Sequence, residues 1–63
     1  MDRKWTVELW SGAAWVRVCT ESSEENGRLA LREVAQYNMA SKHRLLGPDG
    51  MVIQRLPARE ATW

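Results

Sequence analysis

Two runs that alternate in polarity with a period of two residues constrain the fold more than any other feature. They are Lys4–Trp10 (KWTVELW) and Ala14–Thr20 (AWVRVCT), and both are rich in β-branched and aromatic residues. This period is typical of strands with one buried face. Between the runs lies Ser11-Gly12-Ala13, in which Gly12 readily adopts the positive φ of a two-residue type II′ turn. Residues 4–20 are therefore predicted to form a β-hairpin.

A turn at Gly12-Ala13 sets the register of this hairpin. It predicts the pairs Ser11 with Ala14, Trp10 with Trp15, Leu9 with Val16, Glu8 with Arg17, Val7 with Val18 and Thr6 with Cys19. One face then collects apolar side chains, namely Leu9, Val7, Val16 and Val18, with Trp5 at its end. The other collects an aromatic pair, a charge pair and two small residues: Trp10, Trp15, Glu8, Arg17, Thr6 and Cys19. A slip of one residue would mix the two sets, which a sheet with one buried face does not tolerate.

The next segment predicts one amphipathic helix. Residues 21–26 form an acidic, serine-containing linker, and residues 27–41 follow with helical spacing of apolar residues. The N-cap candidates are Ser22, which forms a capping box with Glu25, and Asn26. Because Gly27 would cost a helix interior about 1 kcal/mol, the helix is expected to start near Asn26. Its apolar stripe is Ala30, Leu31, Val34, Ala35 and Asn38.

A second hairpin is predicted over residues 43–56, with Arg44–Leu46 paired against Met51–Leu56. Its turn would be Gly47-Pro48-Asp49-Gly50, in which proline presets φ and the last glycine takes the left-handed conformation. The alternative is that the helix continues to the Gly-Pro stop signal. Residues 57–63 read as a tail.

These elements predict an α+β fold, a small antiparallel sheet with one helix packed on one face. The order is β-β-α-β-β, or β-β-α-β if the helix continues. With 63 residues the chain is expected to form a single domain, 1–63, near the lower size limit for an ordinary core.

The composition excludes several function classes. Nine basic and eight acidic residues give a net charge of +1, which does not indicate general nucleic-acid affinity. A single cysteine precludes an internal disulfide, and the sequence shows no signal peptide and no apolar run of about 20 residues. We therefore expect a cytoplasmic protein that does not enter the membrane.

Residues that could carry chemistry are few. Cys19 and His43 are the sole cysteine and histidine, and their spacing gives no reason to expect a nucleophilic pair or a zinc site. The sequence therefore predicts a protein that is not an enzyme, with no catalytic residue, no metal and no cofactor.

The candidate site is the face of the first hairpin that a single helix would leave uncovered. It would carry Trp10, Trp15, Arg17 and Glu8, with a basic sheet edge at Arg44 and Arg55 as a secondary contact; in the predicted register His43 lies opposite Arg55. Tryptophan and arginine are enriched in binding hot spots, so a protein partner is favoured. The alternatives are a homodimer interface, an aromatic pair that merely stiffens the hairpin, and nucleic-acid binding through tryptophan stacking and phosphate contacts.

The element order resembles that of small phage-encoded inhibitors of host nucleic-acid machinery, among them inhibitors of bacterial RNA polymerase and anti-CRISPR proteins. The resemblance covers the hairpin from Trp5 to Cys19, the acidic lead into one helix, and a closing strand that ends in Arg55-Leu56-Pro57. No specific motif matches, so no functional residue is carried over. The resemblance implies stoichiometric binding to a large nucleic-acid enzyme, without catalysis.

Overall fold

A computed structural model of the chain describes residues 3–38 and 41–57. Its elements are β1 (Trp5–Trp10), β2 (Trp15–Glu21), α1 (Glu24–Tyr37), β3 (His43–Leu46) and β4 (Val52–Leu56). The strands form one antiparallel sheet in the order β2-β1-β3-β4. The α+β class and the order β-β-α-β-β are thus confirmed, and the alternative with a longer helix is wrong. Of the predicted tail, residues 58–63 lie outside the described residues.

The first hairpin follows the predicted register near its turn. Trp10 pairs with Trp15, Leu9 with Val16 and Glu8 with Arg17. The Ser11 amide donates to the Ala14 carbonyl over 2.9 Å, and Gly12 has the required positive φ of 99°. The Ala14 amide in turn donates to the Ser11 hydroxyl over 3.1 Å, so a side chain helps to close the loop.

Beyond these pairs a β-bulge in β2 corrects the predicted register. Val7 pairs with Cys19 instead of Val18. Thr6 pairs with Thr20 instead of Cys19. The inserted residue is Val18, which is 43% exposed although it was predicted to face the core. Bulges are frequent on edge strands because they twist the edge away from further pairing. As a result Cys19 packs against the core and not on the uncovered face.

The helix starts earlier than predicted. Its N-cap is Ser23, whose hydroxyl accepts a hydrogen bond from the Asn26 amide over 3.1 Å. Neither Ser22 nor Asn26 is therefore the cap. The predicted linker, residues 21–26, is shorter in the structure because Glu24 and the residues after it belong to the first turn of the helix. Acidic side chains there are stabilised by the positive end of the helix dipole.

Gly27 explains why a start near Asn26 was wrong. A Cβ atom at this position would lie 3.0 Å from Leu45 Cδ1 and 3.1 Å from the Trp5 Cβ. The helix therefore approaches the sheet so closely that only glycine fits without movement of a neighbour. The cost of glycine within a helix is offset by this contact, which local propensity does not reveal.

The helix also ends earlier than predicted, at Tyr37. Asn38 is the C-cap, and its side-chain amide donates to the Val34 carbonyl over 3.2 Å. Ser41 lies outside the helix, and its amide donates to the Asn38 carbonyl. The predicted helical residues 39–40 lie outside the described residues.

The second hairpin has the predicted turn. Gly50 adopts a φ of 84° and donates its amide to the Gly47 carbonyl over 2.9 Å. The Met51 amide donates to the Asp49 carboxylate over 3.0 Å. Asp49 and Gly50 therefore serve the roles that turn chemistry assigns to them.

The register of this hairpin differs by one residue from the prediction. His43 lies opposite Leu56, and it is Arg44 that lies opposite Arg55. Since Arg44 points away from the helix, its neighbour in the strand must point toward it. His43 is consequently not part of a basic edge but one of the fully buried side chains.

The helix covers one face of the sheet and forms the core with it. The core residues are Val7, Leu31 and Leu45, each 0% exposed. Partly buried apolar side chains surround them: Trp5, Cys19, Ala30, Val34 and Leu56. We call the opposite face, which α1 does not touch, the open face.

Candidate docking surface

One row of charged residues crosses the open face at right angles to the strands. The register places Arg17 on β2 opposite Glu8 on β1, Glu8 opposite Arg44 on β3, and Arg44 opposite Arg55 on β4. Directly paired residues share a face of the sheet. The row therefore joins all four charged residues of the predicted site, with three cations to one anion.

Arg44 is the centre of this row. Its Nε and one terminal nitrogen both lie 2.7 Å from Glu8 Oε1. The two side chains are only 25% and 17% exposed, so the pair is shielded from solvent. The predicted ion pair between Glu8 and Arg17 is wrong, since the carboxylate turns to the other side. Arg17 is exposed and forms no ion pair with the residues that the structure describes.

The tryptophan pair lies beside the charged row. The ring centroids of Trp10 and Trp15 are 5.4 Å apart, and the ring planes are inclined by 58°, within the range of favourable aromatic contacts. The Arg44 guanidinium lies over the Trp15 ring, 4.1 Å from its centroid, a cation–π contact. The two rings, Arg44 and Glu8 form one continuous cluster, which we call the Trp–Arg cluster.

The sequence predicts these residues as candidates but gives them different weights. It predicts Arg44 as a secondary contact on a separate edge, whereas β3 lies next to β1 and brings Arg44 against Glu8. The two residues are 36 positions apart in the chain. No local signal marks such a long-range pairing. Arg55 joins the same row only through its pairing with Arg44.

A second feature of the surface lies at the other end of the sheet. An open groove there is bordered by the chain before β1, the first turn of α1 and the β3–β4 turn. Its charged residues are of both signs: Arg3, Lys4, Glu24 and Asp49. These charged residues are not held against one another as the members of the Trp–Arg cluster are, so the groove is the weaker candidate for a docking surface.

Two searches of the described residues bear on other classes of site. Within residues 3–38 and 41–57, no group of three or more histidine, cysteine, aspartate or glutamate residues could hold a metal ion. Over the same ranges, no helix combines the length and the apolar character that crossing a membrane requires.

Comparison of the chain with protein-family models, curated proteins and solved structures finds no match.

Proposed function

We propose that the protein is a non-enzymatic binding module that docks through its open face on an acidic surface of a protein partner. The partner would be part of a host nucleic-acid-processing complex, such as RNA polymerase or a CRISPR effector. This last step rests on the resemblance in element order to phage-encoded inhibitors. The docking surface itself rests on the geometry of the open face.

The observation that carries the proposal is the Trp–Arg cluster. Arg44 is held on one side by Glu8 over 2.7 Å and on the other by the Trp15 ring. Side chains fixed before binding lose little entropy when a partner arrives. A cluster of tryptophan and arginine on an uncovered sheet face therefore has both the composition and the preorganisation of a hot spot.

The geometry favours a protein over a nucleic acid. Stacking of bases needs an accessible ring face, but Arg44 covers one face of Trp15 and the two indoles are inclined by 58°. The Glu8 carboxylate lies in the middle of the row and would repel a phosphate. A protein surface can meet these groups individually, whereas a nucleic-acid backbone presents one repeating charge.

The charge of the open face specifies the partner surface. Three arginines, Arg17, Arg44 and Arg55, share the row with one glutamate. A partner surface with carboxylates would complement this excess of positive charge. Face-to-face pairing of two copies would instead bring like charges together, which disfavours a homodimer through this face.

The proposal is tested by capture from a bacterial lysate, with and without nuclease treatment, using three forms of the tagged chain. These are the natural chain, a Trp10→Ala/Trp15→Ala variant and a matched control, Leu29→Ala/Tyr37→Ala. The control removes apolar side chains that are 56% and 81% exposed on the helix. Proteins captured by the natural chain are then purified, and their direct binding to all three forms is measured.

We expect direct binding of an identified protein to the natural chain and the control, and loss of that binding in the tryptophan variant. Circular dichroism must show that this variant is folded. Equal binding by all three folded forms would refute the open face as the docking surface. Capture that disappears on nuclease treatment would instead support the nucleic-acid alternative, and folding that fails in the tryptophan variant would assign the pair a structural role.

A further inference from the structure

His43 is the polar side chain in a core that is otherwise apolar. It is 0% exposed. Its register partners are Leu9 and Leu56, and because the next residue in the strand, Arg44, points to the open face, His43 points toward α1. Neither Nδ1 nor Nε2 is reached by solvent, and neither forms a hydrogen bond of good geometry, although the Ser41 backbone lies near the ring. A buried polar group without a partner costs stability, and a charged one costs far more.

The surroundings of the imidazole offer no compensating charge. The register partners of His43 are Leu9 on β1 and Leu56 on β4, and the cleft beside it is also lined by Ala35, Ser41 and Pro57. None of these is titratable. The two charged neighbours in the chain, Lys42 and Arg44, are both cations, and Arg44 points to the open face. Among the described residues, a proton on His43 would therefore meet no carboxylate.

Burial lowers the pKa of His43 from its ordinary value of 6.5, and an interaction with the Ser41 backbone only partly opposes this. The unfolded chain then binds a proton at a higher pH than the folded chain does. The stability associated with the neutral ring is complete above about pH 6.5 and is lost as the pH falls from there through the lower pKa of the folded state.

A cleft next to the ring marks where water would enter once the fold opens. The cleft has a volume of about 170 Å³ and is lined by Ala35, Ser41, His43, Leu56 and Pro57. It lies where β3 and β4 meet α1, so widening it separates the hairpin from the helix. Because the ring nitrogens are inaccessible in the closed fold, proton uptake requires this separation.

We infer that protonation of His43 releases β3 from α1, so that the fold persists at neutral pH and opens in mildly acidic solution. The same strand carries His43 toward the helix and Arg44 toward the open face. Because β1 and β2 have their own contacts with α1 and stay on the helix in this opening, the movement of β3 takes Arg44 away from Glu8 and Trp15. This makes docking pH-sensitive, a consequence that rests on the proposed function, whereas the opening itself does not.

The test uses the full natural chain without any partner. His43 is the sole histidine, so its ring resonances need no variant for their assignment, and the Trp10 and Trp15 indole resonances report on the open face. Between about pH 7.5 and pH 5 ordinary carboxylates stay ionised. We expect the resonances of the charged imidazole to appear only at pH values where the Trp10 and Trp15 indole resonances have also shifted from their positions in the closed fold.

Denaturant unfolding over the same pH range gives the size of the effect. The unfolding equilibrium constant should rise as the pH falls below 6.5, by at most about ten-fold per pH unit, the slope for one linked proton, and should level off at the lower pKa of the folded state. A His43→Leu variant places a side chain of similar volume among Leu9, Leu56 and Ala35 and takes up no proton. Its unfolding constant should change by less than roughly two-fold over the range.

Two results would overturn the inference. One is an imidazole that titrates near its ordinary pKa while the fold and indole signals stay unchanged. The other is a His43→Leu variant with the same pH slope as the natural chain, which would assign the slope to another group. Should this variant fail to fold, the ring titration of the natural chain decides alone.

Discussion

On the face of the sheet that α1 covers, the fully buried side chains are apolar except for the His43 imidazole, whereas the open face carries three arginines, a glutamate and two tryptophans. Both faces come from the same four strands. The covered face has the composition of a core, and the open face that of an interface. On the proposed function, stability and recognition are thus separated by the alternation of side chains within each strand.

β3 shows this separation within three residues. His43 and Leu45 point to the helix and are 0% exposed, while Arg44 between them reaches Glu8 and Trp15. A substitution on one side of this strand should therefore affect folding, and one on the other side should affect binding. The following experiments test this division, beginning with the largest expected effect.

Replacement of Leu45 by alanine should lower the free energy of unfolding by about 2–5 kcal/mol, because it leaves a cavity at the centre of the core. Chemical denaturation measures the loss. The control is Leu29→Ala, which removes the same atoms from a helix position that is 56% exposed and should cost less than about 0.5 kcal/mol. Similar losses in both variants would contradict the assignment of the core to the covered face.

The Glu8–Arg44 pair should contribute more to folding stability than the Glu24–Arg28 ion pair on the helix. A double-mutant cycle to alanine should give a coupling energy of roughly 1–2 kcal/mol, since both side chains are mostly buried and hydrogen-bonded. The same cycle for Glu24 and Arg28, which are 50% and 42% exposed, should give about 0.3–0.5 kcal/mol. Equal coupling energies would mean that the pair on the open face is no better ordered than a surface ion pair.

Cys19 tests the bulge that divides the faces of β2. Burial, followed by the nearby charges of Glu21 and Glu33, raises the pKa of this thiol, so little of it is the reactive thiolate near pH 8. Alkylation by iodoacetamide should be several-fold slower in the folded chain than in denaturant. If the two rates are equal, Cys19 lies on the open face, as the register without a bulge predicts.

The sequence was sufficient for the elements because their signals are local. The alternation of the two runs and the positive φ of Gly12 predict the first hairpin and its register next to the turn. The loop from Gly47 to Gly50 predicts the second hairpin. The apolar stripe that includes Leu31 correctly identified the side of α1 that packs on the sheet.

What the sequence could not predict depends on contacts between distant elements. The bulge at Val18 follows from the twist of an edge strand, and the helix start at Ser23 from the close approach of Gly27 to the sheet. The pairing of Arg44 with Glu8 requires β3 to lie next to β1, which no local pattern specifies. The burial of His43 could have been predicted from the sequence, however, because alternation with Arg44 and Leu45 places it on the covered face.

The central claim is that the open face serves recognition more than folding. Its most direct test is calorimetric titration of the captured partner into the natural chain and into the folded Trp10→Ala/Trp15→Ala variant. We predict that the variant loses at least ten-fold in affinity, about 1.4 kcal/mol or more, while its circular-dichroism spectrum is unchanged. Unchanged affinity in a folded variant would contradict the claim.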